Sequence, residues 1–309
     1  MPPWQEQIEH SQTPLVASEW DDFGAWAIGP TNDESKTSAL WGLKTSNTSS
    51  GMIEIHQIVP PDFNQMGVQI ATGIGASDFP NFVGWGIGPV TIDGSKYNTL
   101  WGVKGKNTES KQVEIHVLNP LNWAEFLFQE PTALFGGDVV HFSAYLIAPL
   151  TSNAETYTVW GVKTSNTGSG KVELHVVEPD NWRSFSLQTS TAFEPSDASN
   201  FGSWQVHSFE GSYLYTLYGI KTKNTANQGR VEVHGVQPGN WKKFWFQEPT
   251  SLPGSAANAA AKYFIDDFVS YPNDFLDSLW QVTNQFGQDP THIYLNVFSG
   301  PSTKGPLGD

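Results

Sequence analysis

Cysteine is absent from the 309 residues, which excludes a disulfide framework, a thiolate metal site and a cysteine nucleophile. Basic residues are scarce. Sixteen Lys and Arg stand against 31 Asp and Glu, and a chain of net charge −15 is a poor match for a nucleic-acid backbone. Charged residues of both signs reach only 15%, well under the roughly 25% of an average soluble domain. Ser, Thr, Asn, Gln and Gly must therefore supply the polar surface. No apolar run of ~18 residues is present to span a membrane. The N-terminus, MPPWQEQIEHSQTPL, has neither the basic stretch nor the apolar core of a signal peptide. A soluble cytoplasmic protein is expected, although non-classical export would leave no mark. The motifs G-x-S-x-G and H-E-x-x-H and a P-loop are also missing. The nearest glycine-rich run, GIGASDF at 73–79, belongs to a loop between strands.

Tryptophan, in contrast, is abundant. Thirteen Trp argue against a disordered chain, and the length suffices for one large domain or two ordinary ones. The reason for the abundance is repetition, which is sought as self-similarity at a fixed period. WGLKTSNTSSGMIEIHQI begins at Trp41, WGVKGKNTESKQVEIHVL at Trp101, WGVKTSNTGSGKVELHVV at Trp160 and YGIKTKNTANQGRVEVHGV at Tyr218. A diverged copy, WQVTNQFGQDPTHIYLNVF, begins at Trp280. Upstream of the first four lie FGAWAIGP, FVGWGIGP, FSAYLIAP and FGSWQVHS. Downstream lie DFNQMGVQIATGI, NWAEFLFQEPTAL, NWRSFSLQTSTAF and NWKKFWFQEPTSL. Each period thus holds four short β-rich runs separated by Gly, Asn, Ser and Pro, the signature of four strands.

The fifth copy lacks its last run, and the N-terminus provides it. Trp4, Thr13 and Leu15 keep the spacing of Trp123, Thr132 and Leu134. The chain reads as a circular permutation of five units in which the first strand completes the last sheet. That arrangement closes a ring, so an all-β, five-bladed β-propeller in one domain is expected, with four antiparallel strands per blade. The blades fall near 20–75, 79–135, 139–195, 198–254, and 260–300 together with 3–15. Strands are lettered A (inner) to D (outer). Alternating direction puts the B–C and D–A loops on one face of the disc. That face carries the hairpin residues Asn47, Asn107, Asn166 and Asn224 and the loop acids Glu19, Asp78, Asp138 and Asp197. The other face carries the Gly-Pro loops and the Pro-x-Asn-Trp turns.

Two columns stand out. Strand C carries Glu54/His56, Glu114/His116, Glu173/His175 and Glu232/His234, with both members on one face because strand side chains alternate. Across the hairpin stand Lys44, Lys104, Lys163 and Lys221. Such a column reads either as a buried polar ladder or as a ligand pocket between blades that offers a cation and a carboxylate to hydroxyls. Metal binding by Glu-x-His alone is the weakest reading. Blade 5 breaks the column with Thr283, Tyr294 and Asn296, which counts against a purely structural role. The second column is aromatic. Strand A carries Trp26, Trp85, Tyr145 and Trp204, and strand B carries Trp41, Trp101, Trp160, Tyr218 and Trp280, all read as packing between blades. The outer turn carries Trp4, Trp123, Trp182 and Trp241, with Phe63 in blade 1. There an Asn-Trp turn predicts a partly exposed ring able to stack on a sugar. Only Trp20 and Trp245 fall outside these positions.

The string K-x-x-N-T followed by E-x-H resembles the FG-GAP/VCBS-like propeller repeats that accompany secreted bacterial hydrolases. Those repeats commonly carry a calcium loop, D-x-N-x-D-G, between strands A and B. Here the loop reads GPTNDESKTSALW and GPVTIDGSKYNTLW, without the ordered acidic ligands, so no metal or other cofactor is expected. The architecture also resembles the cytoplasmic propeller lectins of fungal fruiting bodies. That resemblance implies sugars held between blades by a cation, a carboxylate and an aromatic, roles that Lys44 and Glu54 and their copies would fill. The leading expectation is a multivalent carbohydrate-binding protein with glycans as partners. Its alternatives are a protein-interaction scaffold and a hydrolase or cyclase centred on the channel. The non-repeating acids Asp266, Asp267, Asp274 and Asp277 bear on the last, and their plain reading is a solvated loop.

Overall fold

A computed structural model describes residues 4, 6–32, 37–150, 156–208, 215–226, 229–237, 239–254, 261–270, 274–284 and 291–300. Blade 1 is β2 (Phe23–Pro30), β3 (Ser38–Lys44), β4 (Met52–Val59) and β5 (Gln65–Gly75). Blade 2 is β6 (Phe82–Ile92), β7 (Ser95–Lys104), β8 (Gln112–Asn119) and β9 (Asn122–Phe135). Blade 3 is β10 (Phe142–Pro149), β11 (Tyr157–Lys163), β12 (Glu173–Glu178) and β13 (Asn181–Ser190). Blade 4 is β14 (Phe201–Ser208), β15 (Tyr215–Lys221), β16 (Arg230–Gln237) and β17 (Asn240–Pro253). Blade 5 joins β18 (Lys262–Ser270), β19 (Asp274–Thr283) and β20 (His292–Ser299) to β1 (Gln7–Val16), which pairs antiparallel with β20. The inner strands β2, β6, β10, β14 and β18 pack side by side, and β18 meets β2. The ring is closed, and the fold is a five-bladed propeller completed by its N-terminal strand.

The core is divided among the five blade junctions. Each apolar cluster draws from two neighbours, as where Trp41, Leu43 and Ile55 of blade 1 meet Phe82, Ile87 and Trp123 of blade 2. Strands B and C are therefore buried on both faces, which is why LWGL and IEIHQI read as nearly continuous apolar runs rather than alternating ones. The outer strands recover alternation because one edge and part of one face meet solvent. The acids at 266, 267, 274 and 277 lie in β18 and β19, so the solvated-loop reading gives way to paired strands there.

The face that carries the B–C hairpins is tied together by backbone hydrogen bonds. Six-residue 3-10 helices (Ala17–Asp22, Ala76–Asn81, Gly136–His141 and Pro195–Asn200) lead into the inner strands of blades 1 to 4. Each hairpin docks on the last residue of its helix. The backbone N–H groups of Thr45 and Ser46 donate to the Asp22 carbonyl, and those of Gly105 and Lys106 donate to that of Asn81. Blades 3 and 4 repeat the pattern on His141 and Asn200. The hairpin asparagines all lie in the left-handed region, at φ 51° for Asn47, 52° for Asn107, 51° for Asn166 and 49° for Asn224. Asparagine tolerates that region because its short side chain can bond locally, here to Asp22, Asn81 or Asn200 in three of the blades. A second left-handed position follows, occupied by Gly51, Gly170 and Gly229 but by Lys111 (φ 61°) in blade 2. Nothing lies within 4 Å of where a side chain would start at those glycines, so the cost of Lys111 is in the backbone. Lys111→Gly is expected to stabilise the protein by about 0.5–1 kcal/mol in a denaturant titration.

Candidate functional site

Register brings the predicted column together. Lys44 faces Glu54, Lys104 faces Glu114, Lys163 faces Glu173 and Lys221 faces Glu232. The ammonium groups nevertheless turn to the loop acids. Lys44 donates to Glu19 at 2.7 Å, Lys104 to Asp78 at 2.8 Å and Lys221 to Asp197 at 2.8 Å. In blade 3, Lys163 lies over the Phe142 ring, 5.9 Å from its centroid, and among the described residues it makes no ion pair. The loop acids are secured a second time, because Asn81 donates to Asp78 and Asn200 to Asp197. Burial raises the Asp78 and Asp197 carboxyls, but the lysine and asparagine donors outweigh it, and both lie below the ordinary carboxylate range. Lys44 lies above its ordinary value because its bond to Glu19 outweighs the burial of its ammonium group.

The histidines belong to a separate relay. Gln129 donates to His116 Nδ1 at 2.7 Å, and His116 Nε2 lies 3.3 Å from Glu114. Gln188, His175 and Glu173 repeat the chain in blade 3, and Gln247, His234 and Glu232 in blade 4. One proton inventory satisfies both contacts: a neutral ring that accepts at Nδ1 and donates from Nε2. The glutamate also collects a hairpin donor, such as Ser110 Oγ or the Ser169 backbone N–H. In blade 1 the pair is stretched, with His56 Nε2 3.7 Å from Glu54 and without a hydrogen-bond partner. The rings are enclosed by edge-on aromatics, for example Phe82 and Phe126 around His116. Burial holds all four imidazoles below the ordinary histidine range, against the opposing pull of the paired glutamates. The glutamine column was legible as Q in VQIA, FQEP and LQTS, but the strand-C pattern alone does not assign it a partner.

Blade 5 solves the same packing problem without charge. Gln281 takes the place of the strand-B glycine and donates to the Tyr263 hydroxyl, while Asn296 donates to Gln281. Gln7 and His10 of β1 contact Asn296 Oδ1 in turn. The network crosses from strand A to strand D and ties the closing strand to its sheet.

The outer aromatic column packs between blades. Each turn residue reaches strand B of the preceding blade: Trp123 meets Trp41, Trp182 meets Trp101, Trp241 meets Trp160 and Phe63 meets Trp280. Trp4 completes the circuit in the cluster of Tyr218 and Phe246. Trp4 and Phe63 are fully enclosed and Trp123 is buried, so the partly exposed ring that the turn predicts is found only at Trp182 and Trp241. Of the two tryptophans outside the columns, Trp20 stacks on Trp26 and Trp245 is 48% exposed at a bulge of the outer strand.

No known family model matches the chain, and no curated protein matches it. The likeness to propeller repeats therefore rests on the motif string, and the function rests on the geometry. Two cavities matter to that geometry. The channel itself holds about 140 Å³ and is lined by the inner strands of all five blades, with Trp26, Trp85, Ile147, Phe264 and a single amide, Gln205, among its walls. A larger pocket of about 470 Å³ opens between blades 3 and 4 on the hairpin side, against the helix Pro195–Asn200. Among the described residues no group of three or more His, Asp or Glu is placed to hold a metal ion, and no helix is long and apolar enough to cross a membrane.

Proposed function

We propose that this propeller is a multivalent carbohydrate-binding protein whose repeated sites lie on the hairpin face. The observation that carries the reading is the recurrence of one clamped carboxylate. Glu19, Asp78 and Asp197 stand in equivalent loops, each bonded to a lysine from strand B and each about a third exposed. A fixed carboxylate has lone pairs beyond those its clamp uses, and it sits beside an ammonium group. Paired sugar hydroxyls need that combination of acceptor and donor. The hairpin amides of Asn47, Asn107 and Asn224 lie alongside on the same docked turns. Several weak equivalent sites on a rigid ring give avidity without tight binding at any one. Lys44, Lys104 and Lys221 take part through their clamps. Trp123, Trp182 and Trp241 and the four Glu–His pairs support the scaffold beneath.

A protein partner is the second reading. Val140 is 79% exposed and Phe135 51% exposed near the blade 3 helix on this face, and large apolar groups in the open mark contact surfaces. A channel-centred hydrolase finds little support: the residues that line the central cavity include an amide but no acid or base, and the His207–Asp266 pair of the inner strands β14 and β18 lies outside that lining.

A glycan array followed by calorimetry tests the proposal. Binding with more than one site per chain is expected, and Asp78→Asn and Asp197→Asn should each lower the stoichiometry while the protein stays folded. Glycan signals no higher than background across the array would refute it.

A further inference from the structure

On the protein-partner reading, and independently of the sugar sites, we infer that the helix Gly136–His141 and its flanks form a docking surface for an acidic segment of a partner protein that also carries apolar side chains. Departures from the repeat gather on this one helix. The residue before the helix is Val16, Gly75 or Glu194 in the other blades and Phe135 here. The fifth helix position is Asp21, Pro80 or Ser199 elsewhere and Val140 here. Phe135 is 51% exposed and Val140 79%, so neither serves the core. The Lys111 carbonyl accepts from the Gly136 backbone N–H, which sets Lys111 close to Phe135. That lysine occupies the left-handed position held by Gly51, Gly170 and Gly229 in the other hairpins. A side chain kept there at a backbone cost points to a use outside folding.

Among the described residues, the clamp of the loop acid is undone in this blade alone of the four. Asn81 and Asn200 hold Asp78 and Asp197, but the equivalent His141 turns its ring to Ser165, 3.0 Å away. Lys163 keeps the distance from Phe142 that its copies keep from Phe82 and Phe201, 5.9 Å. Its ammonium group thus has the usual place and lacks the usual carboxylate. Asp138 stands close enough to the Tyr145 phenol and the His175 ring to act on both. Gly105 lies against Val139, and the His141 carbonyl holds Thr164 and Ser165, so Lys106 and Lys163 flank the helix. Lys106 and Lys111 are exposed, and among the described residues neither makes an ion pair. Three unpaired lysines therefore border two exposed apolar side chains, opposed on the hairpin by Glu109 and on the helix by Asp138. On a chain of net charge −15, a local excess of cations is an exception. It favours an acidic partner by charge complementarity, and Phe135 and Val140 give that partner an apolar anchor. A basic partner would be repelled here and drawn to the rest of this acidic chain.

A random peptide-display library panned on the whole protein, followed by fluorescence anisotropy with the selected peptides, tests the surface. Selected sequences should place Asp and Glu around Leu, Phe or Trp, and their binding should weaken as salt is raised. Val140→Glu should lower affinity at least about tenfold, and Lys111→Gly about two- to fivefold. Lys111→Gly should raise the melting temperature at the same time, a combination that a purely structural role does not give. Val140→Glu should leave the melting temperature and the glycan signal unchanged. Acidic peptides that bind both variants as well as the parent would reject this surface and leave the protein-partner reading standing. Selection of no peptide would reject both. Selection of basic peptides would overturn the choice of an acidic partner. Dimerisation on a sizing column that Val140→Glu abolishes would make a second copy the occupant and overturn the inference. Capture by phosphatidylserine vesicles, lost in the same variants, would overturn it in favour of a membrane.

Discussion

Deleting residues 1–16 is expected to abolish cooperative unfolding. The deletion removes the outer strand of blade 5 and uncovers the edge of β20, whose partners from Val16 to Gln7 run from His292 to Phe298. It also removes three enclosed side chains. Trp4 is 0% exposed, Thr13 1% and Leu15 4%. Trp4 fills the junction with blade 4 and Leu15 the junction with blade 1, so both neighbours of blade 5 lose packing. Losing a buried Trp costs about 3–5 kcal/mol and a buried Leu about 2–5, and their sum rivals the whole stability of a typical domain, about 5–15. Thr13 adds a bond to the Ile293 carbonyl that its copies Thr72, Thr132 and Thr191 also make in their own blades. Thermal melts by circular dichroism should lose their sharp transition, and the free edge should drive self-association on a sizing column. Adding a peptide of residues 1–16 should restore the transition. A truncated chain that melts like the parent would show that the ring stands without its closing strand.

Acid is expected to unfold the protein in a window set by the histidine relay. His56, His116, His175 and His234 have folded values below the ordinary 6.5, first because they are buried. The unfolded chain therefore takes up protons before the folded one does. The relay's contribution is fully present above about pH 6.5 and is lost as pH falls through the lower folded values. Four such groups give a slope of at most about 5 kcal/mol per pH unit. Asp78 and Asp197 act in the same direction further down, because their folded values lie below the ordinary 3.8. The melting temperature should be flat near neutrality, fall from just below pH 6.5, and fall again below pH 4. His116→Gln should remove about a quarter of the first slope. An acid limb confined to pH below 4 would count against the relay.

Much of this architecture is readable from residue order. Trp4, Thr13 and Leu15 place the closing strand before any coordinate is known, and the offset copies of W-G-x-K and E-x-H place strands B and C. What residue order conceals is which neighbour a side chain selects. Lys104 faces Glu114 across the hairpin yet bonds Asp78, because the docked 3-10 helix brings that acid nearer than the strand does. Trp123 looks like an exposed turn residue until the ring closes and Trp41 of the preceding blade arrives against it. The pocket between blades 3 and 4 is the least visible, since nothing in residue order marks it until two inner strands are side by side.

Each turn aromatic reaches back to a blade that has already been synthesised. Trp123 closes on blade 1, Trp182 on blade 2 and Trp241 on blade 3, so a chain emerging from the ribosome is able to lay down its middle blades one after another. Phe63 breaks the order, because its partner Trp280 comes from the last sheet. Trp4 must also wait, for blade 4 and then for β20. The closing strand, translated before every blade it joins, is thus among the last segments to find its place, and the nascent propeller spends its synthesis as an open arc with an unsealed seam.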